Sequence, residues 1–331
     1  MRKVLNCISA LLVAFMAVSI PALTSEAAVL RIGIHRQAFG SMDVVAWKKG
    51  YFDELLGKDN YSVHFFSQGK LMNQAMLSGS LDTGTTGFVP WTIATAKGGK
   101  LVGFAATAHL CSLTRLMVAP DSPLKRVEDM KGKSLATAKG ASDTFTFEHF
   151  ILPAHGLSVN DVRIINSTNT ERLPMLRARN VDVILINEPT ATIAEAQGYA
   201  RNLVADFCKY DVSAMMSIAH PKVVEERRQQ VVNYVRAWLR AAEYFRTNFD
   251  DYVKIYHAHE ISMGVKVDLE TTREALKKLI IAPELTPEML KHLEGVAKAL
   301  KEEGQIPRVP DLGTKREGLD LKLLEEAKKP M

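Results

Sequence analysis

Short apolar runs alternate with short amphipathic stretches along most of the chain. Runs at Val29–Ile34, Tyr61–Ser67, Leu81–Thr85 and Leu101–Ala106 predict strands. Between them, Asp43–Lys49, Leu71–Leu77 and Pro90–Lys97 predict helices, the first closed by Gly50 and the last by Gly98-Gly99. A second series follows, with strands at Leu113–Ala119, Lys133–Ala138, Val162–Asn166 and Val181–Ile186. Its helices are Thr144–His155, ended by Gly156, then Glu171–Arg179, and one started by Asn187-Glu188-Pro189. Strands alternating with helices predict an α/β fold of parallel β-α units. Ser213–Ala219 is expected to return the chain to the first series. Beyond Lys222 the pattern turns helical. Val231, Val235, Trp238, Ala242 and Phe245 make one stripe, and Thr286-Pro287 caps and starts a helix with Leu290, Leu293, Ala297 and Leu300 on one face.

Three strand-to-helix junctions stand out. The clearest is Gly79–Pro90, where a strand ends at Thr85, turns at Gly87 and leads to Pro90, expected at the first helical position. Lys139–Phe145 and Ile186–Ala191 repeat the arrangement, with Ser142 or Asp143 as the expected N-cap of the second. Free N–H groups and the helix dipole favour an anion or polar ligand at such places.

The N-terminus is read separately. Arg2 and Lys3 precede an uncharged apolar run, Val4–Ile20, and Ser25-Glu26-Ala27 follows. This predicts a cleaved secretory leader over 1–27 and an exported mature chain. Of 331 residues about 300 remain, which suits two lobes. The net charge of +5 falls to +4 without Arg2, Lys3 and Glu26, and no basic stripe with interleaved aromatics suggests nucleic acid. Cys111 and Cys208 stay in the mature chain; export permits a bridge, and spacing leaves a bridge or two thiols open. No metal-ligand cluster, nucleotide-type phosphate loop or nucleophile elbow is present, so no metal, cofactor or catalytic residue is expected.

Several stretches, in order, carry a resemblance. These are KKGYFDE (48–54), LSGSLDTGTTGFVP (77–90), VAPDSPLKRVEDMKGKSLATAKGAS (118–142), HGLSVNDV (155–162) and RARNVDVILINEP (177–189). Together they resemble the periplasmic binding proteins of the nitrate/sulfonate/taurine group, which includes binders of the thiamine pyrimidine precursor. The resemblance implies a two-lobed binding-protein fold of type II, with ligand held between lobes joined by two crossovers. Lobe 1 is expected over 28–113 plus about 214–331, and lobe 2 over 114–213. It also implies a monomer in the periplasm that delivers a small ligand to an inner-membrane ABC permease. Two positions depart from the family: Asn187 stands where an aromatic is frequent, and Ala141 where a second serine is frequent.

In such a fold the cleft lies beyond the carboxyl ends of the strands. The expected site is therefore His35, Arg36 and Gln37; Thr85, Thr86, Gly87 and Phe88; Ala141, Ser142, Asp143 and Thr144; and Asn187 with Glu188. Glu188 beside an anion site suggests a ligand with a basic end as well, such as an aminosulfonate; capping of its own helix is the competing role. Arg36, Arg115 and His109 are candidate counter-charges. The expected function is solute binding for import of a sulfonate-type anion. A pyrimidine-like or aromatic carboxylate ligand, or a biosynthetic enzyme of the same fold, are the alternatives.

Overall fold

The computed structural model describes residues 28–204 and 207–330, so the leader expected over 1–27 lies outside them. Ten strands among the described residues form two five-stranded sheets. The first sheet has the order β2-β1-β3-β10-β4, from β1 (Leu30–His35), β2 (Tyr61–Phe66), β3 (Thr83–Thr86), β4 (Val102–His109) and β10 (Ala214–Ala219). The second has the order β7-β6-β8-β5-β9. Its strands are β5 (Thr114–Val118), β6 (Ser134–Thr137), β7 (Arg163–Asn166), β8 (Val183–Asn187) and β9 (Arg201–Val204).

The sheets are not wholly parallel, which corrects the expectation. β10 runs antiparallel to both β3 and β4, and β5 antiparallel to both β8 and β9. These are the strands on which the chain enters each sheet from the other, so they arrive running against their neighbours. The remaining pairings, β1 with β2 and β3 and β6 with β7 and β8, are parallel and connected through helices.

Apolar runs without alternation are buried on both faces. In β5 and β8, Leu116, Val118, Val183 and Leu185 pack into one core, while Met117, Ile184 and Ile186 pack into another on the opposite face. The larger core lies around the first sheet. It takes in Val231, Tyr234, Val235, Trp238 and Ala242 of the helix Arg228–Thr247 and Leu293, Ala297 and Leu300 of Pro287–Glu302. The Thr286 hydroxyl accepts from Met289 N at 3.2 Å, as its sequence position requires of an N-cap. Gly50 has φ +76°, the left-handed value that ends the helix Ser41–Lys48.

Two crossovers join the sheets. The first is the turn Leu110–Leu113 between β4 and β5; the second runs from β9 to β10. A disulfide between Cys111 and Cys208, with Cα atoms 4.8 Å apart, links one crossover to the other. The bridge answers the question that spacing left open. No helix among the described residues is long and apolar enough to cross a membrane.

Candidate functional site

The carboxyl ends of the parallel strands in the two sheets meet across a cavity of about 460 Å³. Close contacts bring the walls together. Val89 N donates to the Ser142 hydroxyl at 3.0 Å, and Ala38 N donates to the Glu188 carbonyl at 2.9 Å. A Cβ on Gly87 would lie 2.5 Å from Ser142 Oγ, so only glycine lets the walls approach this closely without displacing that hydroxyl.

Of the residues expected from the sequence, His35, Gln37, Gly87, Ala141, Ser142, Asp143 and Asn187 line the cavity. The other six do not. Arg36 is exposed and is not among the lining residues. Thr85, Thr86 and Phe88 are buried behind it, with the Phe88 ring 5.9 Å from that of His292. The Thr144 hydroxyl is spent locally, 2.6 Å from Thr137 Oγ1 and donating to the Ala138 carbonyl at 2.9 Å. The helix after Gly87 starts at Phe88, two residues before Pro90, and the Ser142 helix is preceded by Ala141 as N-cap, with Ser142 and Asp143 in its first turn. Each helix therefore begins closer to its strand than expected.

Glu188 is the largest correction. Its side chain has no exposed surface. The carboxylate accepts from Lys278 Nζ at 2.9 Å and from Thr192 N at 3.0 Å, and Arg115 Nε lies 3.5 Å away. It takes an amide in the first turn of the helix Thr190–Ala196, the competing capping role, and pairs with cations that are not among the residues lining the cavity. Arg115 is committed to this cluster and to the Thr114 carbonyl, at 2.8 Å. His109 is absent from the lining, and burial lowers its pKa.

Sequence reasoning missed two wall segments. Ser67, Gln68, Gly69 and Lys70 follow β2, and Asn166 to Asn169 run on from the last residue of β7. Both stand just past a parallel strand, the position already used to choose the other candidates. The helices Gly69–Leu77, Phe88–Ala96, Ser142–Thr146 and Asn169–Arg177 thus all begin at the cavity. Lys70 and Lys139 add exposed ammonium groups. Arg172 is 2% exposed; burial lowers its pKa, and the charges of Asp143 and Glu171 oppose that shift. Its guanidinium donates to Asn169 Oδ1 at 2.8 Å and to the Leu185 carbonyl at 2.6 Å, fixing the β7 end of the wall. Apolar surface comes from Phe39, Pro90, Leu110 and Met215. The Phe39 ring meets His35 edge-on, centroids 4.7 Å apart. Positive helix ends and cations therefore face a cavity with an apolar patch, which suits a small anion with an alkyl part.

Comparison with known proteins agrees with this architecture. A protein from Escherichia coli (strain K12) described as aliphatic sulfonates-binding is 30% identical over 200 residues, which cover 60% of this chain and 62% of the relative. The match thus spans less than two thirds of that relative's length. A Bacillus subtilis (strain 168) protein of the same description is 26% identical over 229 residues, 69% of this chain and 68% of that one. The alkanesulfonate-binding protein SsuA from Xanthomonas axonopodis pv. citri, solved with MOPS bound, superposes with a TM-score of 0.78 at 19% identity. It covers 88% of this chain and 98% of its own. The periplasmic nitrate-binding protein NrtA from Synechocystis PCC 6803 does so at 0.68 and 13%, covering 91% and 88%. These two structures share the fold, that of two-lobed periplasmic binding proteins. The model of the family described as NMT1/THI5 like matches residues 41–250, well over half of the sequence, and the chain belongs to that family.

Proposed function

We propose that the protein is the extracytoplasmic solute-binding component of an ABC importer, taking a small sulfonate-type organic anion. The carrying observation is the convergence of four helix N-termini, Lys70, Lys139 and Arg172 on one cavity between the sheets. Backbone N–H groups and helix dipoles hold a tetrahedral anion without needing a dedicated arginine clamp. Phe39, Leu110 and Met215 offer the alkyl part a dry surface. The names of the relatives support the ligand class and a binding rather than a catalytic role. We assign lobe 1 to 28–113 plus 214–331 and lobe 2 to 114–213, in a monomer that closes on its ligand in the periplasm and presents the closed face to a membrane permease. An aromatic ligand is not favoured: at position 187 the wall carries an asparagine whose amide bonds to Thr114 and Asn169.

The test is thermal unfolding of the mature protein after denaturation and refolding to strip bound ligand. Alkanesulfonates, aminosulfonates, nitrate, aromatic carboxylates and the thiamine pyrimidine make the panel. A ligand at about a hundred times its Kd adds roughly 2.7 kcal/mol, a shift of a few degrees for a chain of this size. A sulfonate should give the largest shift, without turnover. A shift with another class alone would overturn the assignment.

A further inference from the structure

Beyond the cavity, the helical stretch from Ser142 to Ala154 meets the helix Pro287–Glu302 and its C-cap, Glu303. The first belongs to lobe 2 and the second to lobe 1, as assigned above. Acid–base side chains make much of this contact. His149 Nε2 lies 2.9 Å from Glu303 Oε1, and its ring stacks on Phe145 with centroids 4.0 Å apart. Gln305 Nε2 donates to Glu303 Oε2 at 2.6 Å, so both oxygens of that carboxylate are held. Glu148, the neighbour of His149, is half-buried and lines a second, smaller cleft together with Lys139 and Gln305. His292 Nε2 lies 3.3 Å from Asp211 Oδ1, with its ring 5.9 Å from Phe88 and 5.3 Å from Phe150. Asp211 also accepts from the Thr146 hydroxyl at 2.8 Å and from Ser213 N at 2.7 Å. Glu148, His149, Glu303, His292 and Asp211 are all absent from the lining of the ligand cavity.

Protons added at this contact all act in one sense. Burial and the Glu303 charge push the Glu148 pKa up to about 7, against the opposing Lys139 ammonium. Two carboxylates, one from each lobe, therefore repel until Glu148 takes a proton. A proton on His149 or His292 turns a neutral contact into an ion pair with Glu303 or Asp211. Burial would raise the Asp211 carboxyl, but bonds from His292 and Ser213 outweigh it and hold its pKa below the ordinary value. His109, at the end of β4, also faces Asp211, and burial lowers its pKa. We propose that this contact is a proton-operated clasp: acidification draws the lobes together through Glu148, His149 and His292, so ligand affinity rises as pH falls. This rests on the proposed closure of the lobes on ligand. Separation of the lobes would return Glu148 to water and to the ordinary value of 4.5. Closing therefore takes up a proton between that value and about 7; the penalty on closing is full above about 7 and lifts as pH falls.

The probes are 1-propanesulfonate and nitrate, both fully ionised at every pH used. Titration calorimetry on stripped, refolded wild-type protein should give a Kd about tenfold lower at pH 6 than at pH 8. Glu148→Gln copies the protonated carboxyl. It should bind at pH 8 about as tightly as the wild type does at pH 6, with its remaining pH dependence under about threefold. His149→Phe keeps a ring on Phe145 but loses the pair with Glu303. It should weaken binding about two- to fivefold at pH 6 and hardly at all at pH 8. His155 pairs with Glu128 inside lobe 2, so His155→Phe should keep the wild-type pH dependence. Thermal melts confirm that each variant folds. Equal affinity at the two pH values, or tighter binding at pH 8, would overturn the clasp and leave the solute-binding reading in place. A full pH dependence kept by Glu148→Gln would overturn it too. Binding of neither probe would overturn both readings. The wild-type ratio can overturn the clasp even if a variant fails to fold.

Discussion

Two strand-to-helix junctions in the second sheet look alike in sequence and end in opposite roles. After β6, Ala138–Ser142 leads into a helix whose N-cap, Ala141, has no side-chain acceptor. After β8, Asn187-Glu188-Pro189 leads into a helix whose third amide is taken by the chain's own carboxylate. The first junction lines the cavity; of the second, only Asn187 does. Both helices have their third amide taken by a carboxylate of the chain, Asp143 on Thr144 N and Glu188 on Thr192 N; the difference is that Asp143 lines the cavity while Glu188 is sealed away from it among cations. Glu188 fills the place a ligand anion would take, and Lys278, Arg115 and Thr192 then hold it from three sides.

The comparison can be broken at either junction. The largest effect is expected from Glu188→Ala, which strands Arg115 and Lys278 beside an empty buried site. Loss of one partner of a buried pair costs about 3–5 kcal/mol, and the partial exposure of Lys278 puts this case near the lower end. Urea unfolding checks it; a change under about 1 kcal/mol would mean the cluster is well solvated. Next is Gly87→Val at the open junction. Its Cβ alone would come 2.5 Å from Ser142 Oγ, so the walls must part. Ligand affinity should fall roughly thirtyfold, about 2 kcal/mol, with a smaller change in stability. Calorimetry showing unchanged affinity would mean that ligand does not need the close approach.

Lys278→Met leaves Glu188 with Arg115 and Thr192 N, and should cost about 1–2 kcal/mol in the same urea experiment. The smallest effect is expected from Ser142→Ala, which removes the acceptor of the Val89 N–H: about 1 kcal/mol, read as a several-fold loss of ligand affinity. If Ser142→Ala proved more damaging than Glu188→Ala, the two junctions would have exchanged roles.

The strands were legible because their apolar runs have few alternatives. VDVILI and LTRLMV read as strands buried on both faces, and their Val183–Ile186 and Thr114–Val118 portions are. β9, Arg201–Val204, escaped notice because RNLV is short, half polar and lies at a sheet edge. Within the site, Gly87 and Ala141–Asp143 were legible from turn and cap chemistry. Gln68–Lys70 and Asn166–Asn169 were not, since polar loops carry no periodicity; only their place after β2 and β7 marks them. For Glu188 the sequence offered helix capping as the competing role, which the Thr192 N–H bond matches, but not its burial against two cations. Its partner Lys278 lies ninety residues later, and sequence reports a carboxylate's neighbours only when they are near along the chain. Antiparallel entry by β5 and β10 was hidden for a similar reason, since strand direction depends on which sheet the chain has just left.

The bridge from Cys111 to Cys208 has one more consequence. It closes the stretch between them, with β5 through β9 inside, into a covalent ring through which the rest of the polypeptide enters and leaves at adjoining points. A protease that nicks any loop of that ring once opens the circle without detaching a fragment. The cut chain keeps its hydrodynamic identity on a non-reducing gel and separates into two bands only when thiol is added. For a protein exposed to the proteases outside the cytoplasmic membrane, as proposed for this one, damage to one lobe then does not amount to loss of it.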